Sequence, residues 1–158
     1  MSDEPVLWVA LAAYAVHMLE EHELNWRDWA RNVLRLPVEW ESFYVANAVV
    51  VVLGVCCAAI GWRMPWLTLS FPALMVINAL LFHVLPTIAK RVYSPGLATA
   101  LVLFLPVAAW VYREAWRAGA LTVASGTVST LIGAALMATP IVLIRIRHRR
   151  QPAALHPG

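Results

Sequence analysis

Four long stretches without a charged side chain dominate this sequence. Residues 42–62, 64–89, 92–112 and 118–144 contain no Asp, Glu, Lys or Arg. A helix needs about 20 apolar residues to cross a hydrocarbon core of about 30 Å, and each stretch has at least that many. A helix also pairs its own backbone groups, for which lipid offers no partner. We therefore expect an all-α, polytopic membrane helix bundle.

The composition excludes the main alternatives. Charged residues make up 13% of the chain and hydrophobic residues 61%, whereas a soluble domain is about a quarter charged. Disordered and collagenous chains are far more polar or more repetitive than this one. The two cysteines, Cys56 and Cys57, are adjacent inside an apolar stretch, so we interpret them as packing residues rather than a disulfide framework.

The first apolar stretch is shorter than the others. Residues 5–19 are uncharged, and Glu20 and Glu21 follow directly. To cross a bilayer, this helix must carry His17, Glu20 and Glu21 in the membrane or at its edge. The sequence thus predicts a single transmembrane domain, residues 1–150, with a short cytoplasmic tail at 151–158. Its five spans are expected at about 5–22, 42–62, 65–89, 95–112 and 119–144.

The distribution of basic residues predicts the orientation. With the N-terminus outside, nine Lys and Arg residues fall on the inner side and three on the outer side, and an inner excess is the rule for cell-membrane proteins. The C-terminus is then cytoplasmic. The basic run at 145–150 is explained as a topology signal, so we expect no nucleic-acid partner.

Two segments predict contacts with lipid or with a second chain. Residues 23–37 combine apolar side chains with Arg27, Arg31 and Arg35 at intervals of four, which is typical of an interfacial amphipathic helix facing anionic lipid. Small residues such as Gly126 and Gly133 in the last span favour close helix packing. A homo-oligomer is one form that such packing can take.

The candidate site begins on the first helix. His17, Glu20 and Glu21 are spaced i, i+3 and i+4 and therefore share one helix face, with Tyr14 three residues before them. One imidazole beside two carboxylates is a ligand set suited to zinc, iron or manganese. The same set can perform acid–base chemistry. Alternatively, these residues end the helix with their carboxylates in headgroup water.

Other polar residues are expected at a similar depth. Asn47 and His83 both lie roughly 9–11 Å from the inner ends of their spans, and Asn78 lies deeper. Asn78 and His83 are about 140° apart on an ideal helix, so they need not share a face. Pro86 removes a backbone hydrogen bond to residue 82 and can alter the geometry there.

A short connection precedes the fourth span. In the sequence Tyr93-Ser94-Pro95-Gly96, Ser94 is expected to be the N-cap and Pro95 the first helical residue. The resulting helix N-terminus could alternatively hold an anionic group such as a phosphate.

These elements together resemble a known family. His17-Met18-Leu19-Glu20-Glu21 matches the motif of the HXXEE family of integral membrane proteins, which has no assigned activity. Asn78 with His83, and the Tyr93–Gly96 element, are similar to later family elements and occur in the same order. The resemblance implies that these residues form one site and leaves its chemistry open.

Three functions are compatible with this pattern. The first is a membrane-embedded metal-dependent hydrolase or oxidoreductase that acts on a lipid-like or isoprenoid-like small molecule, with membrane lipids around it. Its expected metal ligands are His17, Glu20, Glu21 and His83, and Glu20 and Glu21 are the expected catalytic residues. The alternatives are a structural or accessory membrane subunit without catalysis and a proton-linked small-molecule carrier using the same carboxylates. The supporting residues are Tyr14, Asn47, Asn78, Tyr93 and Ser94.

Overall fold

The computed structural model describes residues 4–149, and within that range the only regular secondary structure is helical, joined by short turns and connections. We number six helices in chain order. They are α1 (Pro5–Glu23), α2 (Trp26–Val33), α3 (Trp40–Arg63), α4 (Pro65–Lys90), α5 (Leu97–Arg117) and α6 (Val123–Arg149).

Four of these helices are long and apolar enough to cross a membrane. They are α3, α4, α5 and the part of α6 up to Leu143. The expected all-α membrane bundle is confirmed in this form. Helix α1 is not among the four because its last turn carries Glu20, Glu21 and Glu23, so the predicted count of five spans is not confirmed.

The helices begin later in two places than the charge pattern indicated. Helix α5 begins at Leu97 rather than at 95, and α6 begins at Val123 rather than at 119. Gly96 and Gly119 precede these starts with positive φ angles of 94° and 68°, which is the left-handed region that glycine adopts without strain. Absence of charge marks the apolar stretch, whereas backbone conformation decides where its helix begins.

The amphipathic helix is shorter than predicted. Helix α2 has eight residues and ends at Val33, and Arg35 has a φ angle of +58° that no right-handed helix contains. Arg35 therefore does not continue the row of Arg27 and Arg31. Trp29 and Ala30 on α2 are buried with Leu36 and Val38 in a small apolar cluster.

Helix α1 packs against α3 and α5, and α4 packs against α5 and α6. Gly133 of α6 lies so close to α4 that an added Cβ would be 2.9 Å from the backbone nitrogen of Leu74. The close packing predicted for the last span is thus used within the chain. This arrangement places the inner face of α1 opposite the second half of α4 and the start of α5.

Two of the helices contain a wider turn, in which the backbone hydrogen bonds span five residues instead of four. Residues Asn78–Val84 of α4 and Ala100–Phe104 of α5 form π-helical turns. Such turns are rare in proteins and often lie at functional sites. Both turns border the region where α1 carries its polar residues.

Candidate metal centre

Three buried side chains from α1 and α4 converge at one point. The Nε2 atom of His17 lies 3.6 Å from Oε1 of Glu21, and Nε2 of His83 lies 3.4 Å from the same oxygen. The possible ligand atoms of the three residues all lie within 4.8 Å of one another. All three side chains are buried, with exposures of 1%, 5% and 0% for His17, Glu21 and His83. The structure thus brings His17, Glu21 and His83, three of the four expected metal ligands, into one cluster.

Helix geometry explains the first two members of this cluster. His17 and Glu21 are four residues apart, so their side chains lie on the same face of α1 one turn from each other. His83 comes from the π-helical turn of α4, and its ring meets that of His17 edge-on with centroids 4.8 Å apart. The Phe104 ring packs against the His17 ring, with the two ring centroids 4.1 Å apart.

A hydroxyl group fixes the protonation of the His17 ring. Its Nδ1 lies 2.7 Å from Oγ1 of Thr99, whose hydroxyl donates to the carboxylate of Glu20 at 2.5 Å. Since the hydroxyl proton goes to the carboxylate, the imidazole must donate from Nδ1. The Nε2 of His17 then carries a lone pair and no proton.

His83 is held in the same way. Its Nδ1 lies 3.0 Å from Oγ of Ser94, and that hydroxyl donates to the backbone carbonyl of Phe82 at 3.3 Å. The carbonyl is available because Pro86, four residues later, has no N–H to bond it. With the hydroxyl proton on that carbonyl, Nδ1 of His83 donates to Ser94 and its Nε2 carries a lone pair.

The two Nε2 atoms and the Glu21 carboxylate are then hydrogen-bond acceptors with no donor among them. The Nε2 atoms of both histidines are buried and have no hydrogen-bond partner, and both face a carboxylate oxygen at more than the usual 2.7–3.2 Å of a hydrogen bond. Two donors on one tetrahedral zinc ion, at about 2.0–2.1 Å each, lie about 3.3–3.4 Å apart. The cluster of His17, Glu21 and His83 could hold a metal ion.

Glu20 lies outside this cluster. Its carboxylate accepts hydrogen bonds from Tyr93 Oη at 2.7 Å, from Thr99 N at 2.8 Å and from Ala98 N at 3.3 Å, besides the Thr99 hydroxyl. It therefore binds the start of α5 and acts on His17 through Thr99. The role of Glu20 as a metal ligand stays a prediction. The catalytic roles of Glu20 and Glu21 stay predictions too.

Tyr93 and Ser94 occupy the connection between α4 and α5. Partial burial and the hydrogen bond to Glu20 raise the pKa of Tyr93, so the phenol stays a donor. The expectation that Ser94 is the N-cap of α5 is wrong, because the helix begins at Leu97 after Gly96. The Ser94 hydroxyl bonds His83 instead.

Gly96 lies directly against the cluster. A Cβ at this position would come within 2.7 Å of His83 Cε1, 2.8 Å of His17 Cε1 and 3.0 Å of Glu21 Cγ. Its φ angle of 94° would also strain any other residue. Only glycine fits here without displacing a histidine.

The remaining supporting residues lie beside the cluster. Tyr14 Oη donates to Oδ1 of Asn47 at 2.6 Å, and the Asn47 amide donates to the carbonyl of Phe43 at 2.9 Å. Asn78 and Glu21 line the same pocket as Tyr14 and Asn47. The π-helical turn explains this, since its i to i+5 pairing brings Asn78 and His83 closer around the helix than the 140° of an ideal α-helix.

Sequence reasoning missed Thr99 and Phe104 and gave Gly96 no role beyond its place in the Tyr93–Gly96 element. Threonine and phenylalanine are ordinary in apolar spans, so their types gave no signal. The available clue was position, because both follow the Tyr93–Gly96 element within about three turns.

Fold and site together define a helical membrane protein with a buried cluster of two histidines and one glutamate. Residues 8–111 match the family described as "Protein of unknown function with HXXEE motif". The chain belongs to the HXXEE family, and the predicted resemblance is confirmed. It is similar to the uncharacterised protein YrkK of Bacillus subtilis strain 168, with 27% identity covering 93% of this chain and 99% of that protein. No solved structure matches the chain.

Proposed function

We propose that this protein is a membrane-embedded metalloenzyme that binds one divalent metal ion through His17, Glu21 and His83. The observation that carries the proposal is the pair of unpartnered Nε2 atoms, which both face one carboxylate oxygen. Without a cation, three buried acceptors would face one another unless Glu21 were protonated. Buried polar groups without partners are costly, at about 1–3 kcal/mol each.

The surroundings also support a metal site. Histidine ligands in metal centres commonly donate their second ring nitrogen to an oxygen, which orients the ring. Thr99 and Ser94 accept from the two histidines in this way. The hydrogen-bonded carboxylate of Glu20 then completes the chain from the surface to His17.

Three protein ligands are the number found in catalytic rather than structural zinc sites. When bound in such a site, a divalent ion lowers the pKa of a coordinated water or polarises a carbonyl or phosphoryl oxygen. The same donors, two histidines and a carboxylate, also suit iron that activates oxygen. Glu21 and the two imidazoles would hold the ion, Glu20 would hold Thr99, and Phe104 would exclude water from one side of His17.

We further propose that the substrate is lipid-like. Apart from a few polar groups, the pocket beside Glu21 is lined by apolar side chains. The orientation that fits the charge distribution places the site near the cytoplasmic surface, with the N-terminus outside. The substrate would then come from the inner leaflet.

Metal content of the purified protein tests the site. We expect close to one zinc, iron or manganese ion per chain in the wild type and a loss in His17→Ala and His83→Ala. His22→Ala is the matched control, because His22 lies on the same helix but is exposed and contacts Tyr44. Glu21→Gln keeps the shape of the side chain, so its metal loss would not be a folding defect.

Two results would contradict the proposal. One is a folded, monodisperse wild type that stays metal-free after loading with each of the three metals. The other is retention of the metal in all three cluster variants. A metal-free protein in which Glu21→Gln abolishes pH-dependent flux in vesicles would favour the carrier instead.

A further inference from the structure

Two neighbouring cavities lead from Glu21 to the outer surface of the bundle. The first, which we call the polar pocket, has a volume of about 100 Å³. Its polar wall consists of Tyr14, Glu21, Trp26, Ser42, Asn47 and Asn78. A cavity of this size admits several water molecules or a small polar group.

The polar pocket contains hydrogen-bonding atoms that nothing in the described chain satisfies. Nε1 of Trp26 and Oδ1 of Asn78 are both buried without a partner. One is a donor and the other is assigned as an acceptor, and both residues line the pocket with Glu21. These atoms indicate a polar occupant that both donates and accepts hydrogen bonds.

The second cavity, which we call the α3–α6 groove, adjoins the first. It has a volume of about 380 Å³ and lies between α3 and α6. The two cavities share wall residues from both helices, and these are Ser42, Ala46, Val50, Leu136 and Pro140. The two cavities therefore adjoin along this wall.

The lining of the groove is mostly apolar, and its charged residue, Glu41, lies in the first turn of α3. Val45, Val49 and Leu143 form its outer part and are 61%, 56% and 60% exposed. The hydroxyl of Thr139 is already bonded to the carbonyl of Ala135 in its own helix. Beyond Glu41 and Ser42 at the start of α3, a peptide or a water-soluble metabolite would find almost no polar partner along the groove.

The position of the groove indicates what fills it. Both α3 and α6 are long and apolar enough to cross the membrane, so the molecules next to the groove in a bilayer are hydrocarbon chains. Pro140 lies where groove and pocket meet and cannot bond the carbonyl of Leu136. The backbone at this junction is therefore less tightly held than elsewhere in α6.

We infer that the α3–α6 groove binds one long hydrocarbon chain of a membrane amphiphile and that the polar pocket receives its head beside Glu21. This inference rests on the proposed function for the chemistry at Glu21, and it adds the substrate class and its route. The substrate enters sideways from the bilayer, with its chain between two helices and its head toward Trp26 and Asn78.

Photocrosslinking tests the route. The protein is reconstituted in phosphatidylcholine vesicles with a palmitic acid that carries a diazirine in its chain, and labelled peptides are mapped by mass spectrometry. We expect labels concentrated on residues 45–50 and 136–143. Unlabelled palmitate and farnesol serve as competitors, and the more effective one identifies an acyl or an isoprenoid chain.

Bulky substitutions at the junction provide the matched comparison. Ala46→Trp and, on the opposite wall, Leu136→Trp should lower labelling at least fivefold, because an indole would fill the shared part of the two cavities. Val52→Trp is the control, since Val52 is 63% exposed on α3 and lines neither cavity. Labels spread evenly over all outward-facing helices, with the same yield in Ala46→Trp, would overturn the inference.

Metal content separates this inference from the proposed function. Ala46 and Leu136 lie outside the metal cluster, so both variants should keep the wild-type metal. If the groove is labelled specifically in a protein that binds no metal, the lipid route stands and the metalloenzyme proposal fails. If metal binds and the labelling is unspecific, the reverse holds.

Discussion

Thr99 joins the exposed and the buried parts of the site. Its hydroxyl accepts from Nδ1 of His17 and donates to Glu20, and its backbone N–H also donates to Glu20. A single side chain thus determines which nitrogen of His17 is free to bind an ion. Partners of this kind typically contribute 10- to 100-fold to metal affinity.

We therefore expect Thr99→Val to weaken metal binding by about 10- to 100-fold and Thr99→Ser to restore most of it. Valine has the same shape but no hydroxyl, so Nδ1 of His17 would lose its acceptor. The measurement is a chelator-competition titration with zinc in detergent. Thr130→Val is the control, because the Thr130 hydroxyl bonds only Gly126 O within α6. Unchanged affinity in Thr99→Val would show that the hydroxyl does not orient the ring.

At this scale the sequence predicted part of the site. His17 and Glu21 are recognisable because ionisable residues four apart in an apolar helix share a face. Glu20 and Glu21 could not be distinguished, since both are carboxylates and only the packing of α5 against α1 decides which one is buried. The steric role of Gly96 could not be predicted, because it depends on a contact with three side chains that are distant in sequence.

At the scale of elements, the π-helical turn of α4 determines where His83 lies. The turn covers Asn78–Val84 and ends two residues before Pro86. A π-helical turn accommodates one extra residue in an α-helix, so Asn78 and His83 lie closer around α4 than the 140° that separates them in a regular α-helix. In a regular α-helix with the same sequence, His83 and Asn78 could not both face the site.

Insertion of one alanine after Leu81 should therefore abolish metal binding while the helix content stays the same. Leu81 is 54% exposed, so little packing is disturbed, and one more residue turns His83 by about 100° relative to the first half of α4. Metal content and far-UV circular dichroism measure the two effects. Leu81→Ala changes the same side chain without changing the register and should bind metal normally. Wild-type metal content in the insertion variant would contradict this role of the turn.

The sequence indicated this element only weakly. Pro86 predicted an altered backbone near residue 82, and the freed carbonyl of Phe82 is indeed bonded by Ser94. The size of the change was not predictable, because any prediction of helix faces from sequence assumes 3.6 residues per turn. The start of α5 was misplaced for a related reason, since Ser94 and Pro95 are ordinary capping residues and here bond elsewhere.

At the scale of the whole molecule, the cluster and its hydrogen-bond partners tie three helices together. His17 and Glu21 belong to α1, His83 to α4, and Thr99 with Glu20 links α1 to α5. An ion bound only by the folded state stabilises it by RT ln(1 + [L]/Kd), about 2.7 kcal/mol at a hundredfold excess over Kd. Stability should thus depend on metal.

We expect removal of metal with EDTA to lower the Tm of the wild type in detergent by several degrees and re-addition of zinc to restore it. His17→Ala should melt at one temperature regardless of EDTA or zinc, because it lacks the site. Thermal unfolding followed by tryptophan fluorescence measures both. An equal EDTA effect in the two proteins would assign it to something other than the cluster.

Uncharged stretches were sufficient to predict the helical membrane class and the approximate extent of α3 and α4. They could not establish how the helices pack, because lipid-facing and packed surfaces are equally apolar and hydropathy does not separate them. Composition is also insufficient for α1, because its charged end keeps it from being counted among the helices that are apolar enough to cross a membrane. Its place between α3 and α5 became visible only in three dimensions.

The Gly96 backbone occupies the space on one side of the cluster, where even a methyl group would collide with both imidazoles. A molecule that reaches Glu21 by the inferred route therefore has to leave by the way it came. Each product would have to back out before the next substrate entered, so turnover would slow as product accumulated in the bilayer. Compounds with a long hydrocarbon tail and an unreactive head would inhibit such a protein by occupying a cavity that has one opening.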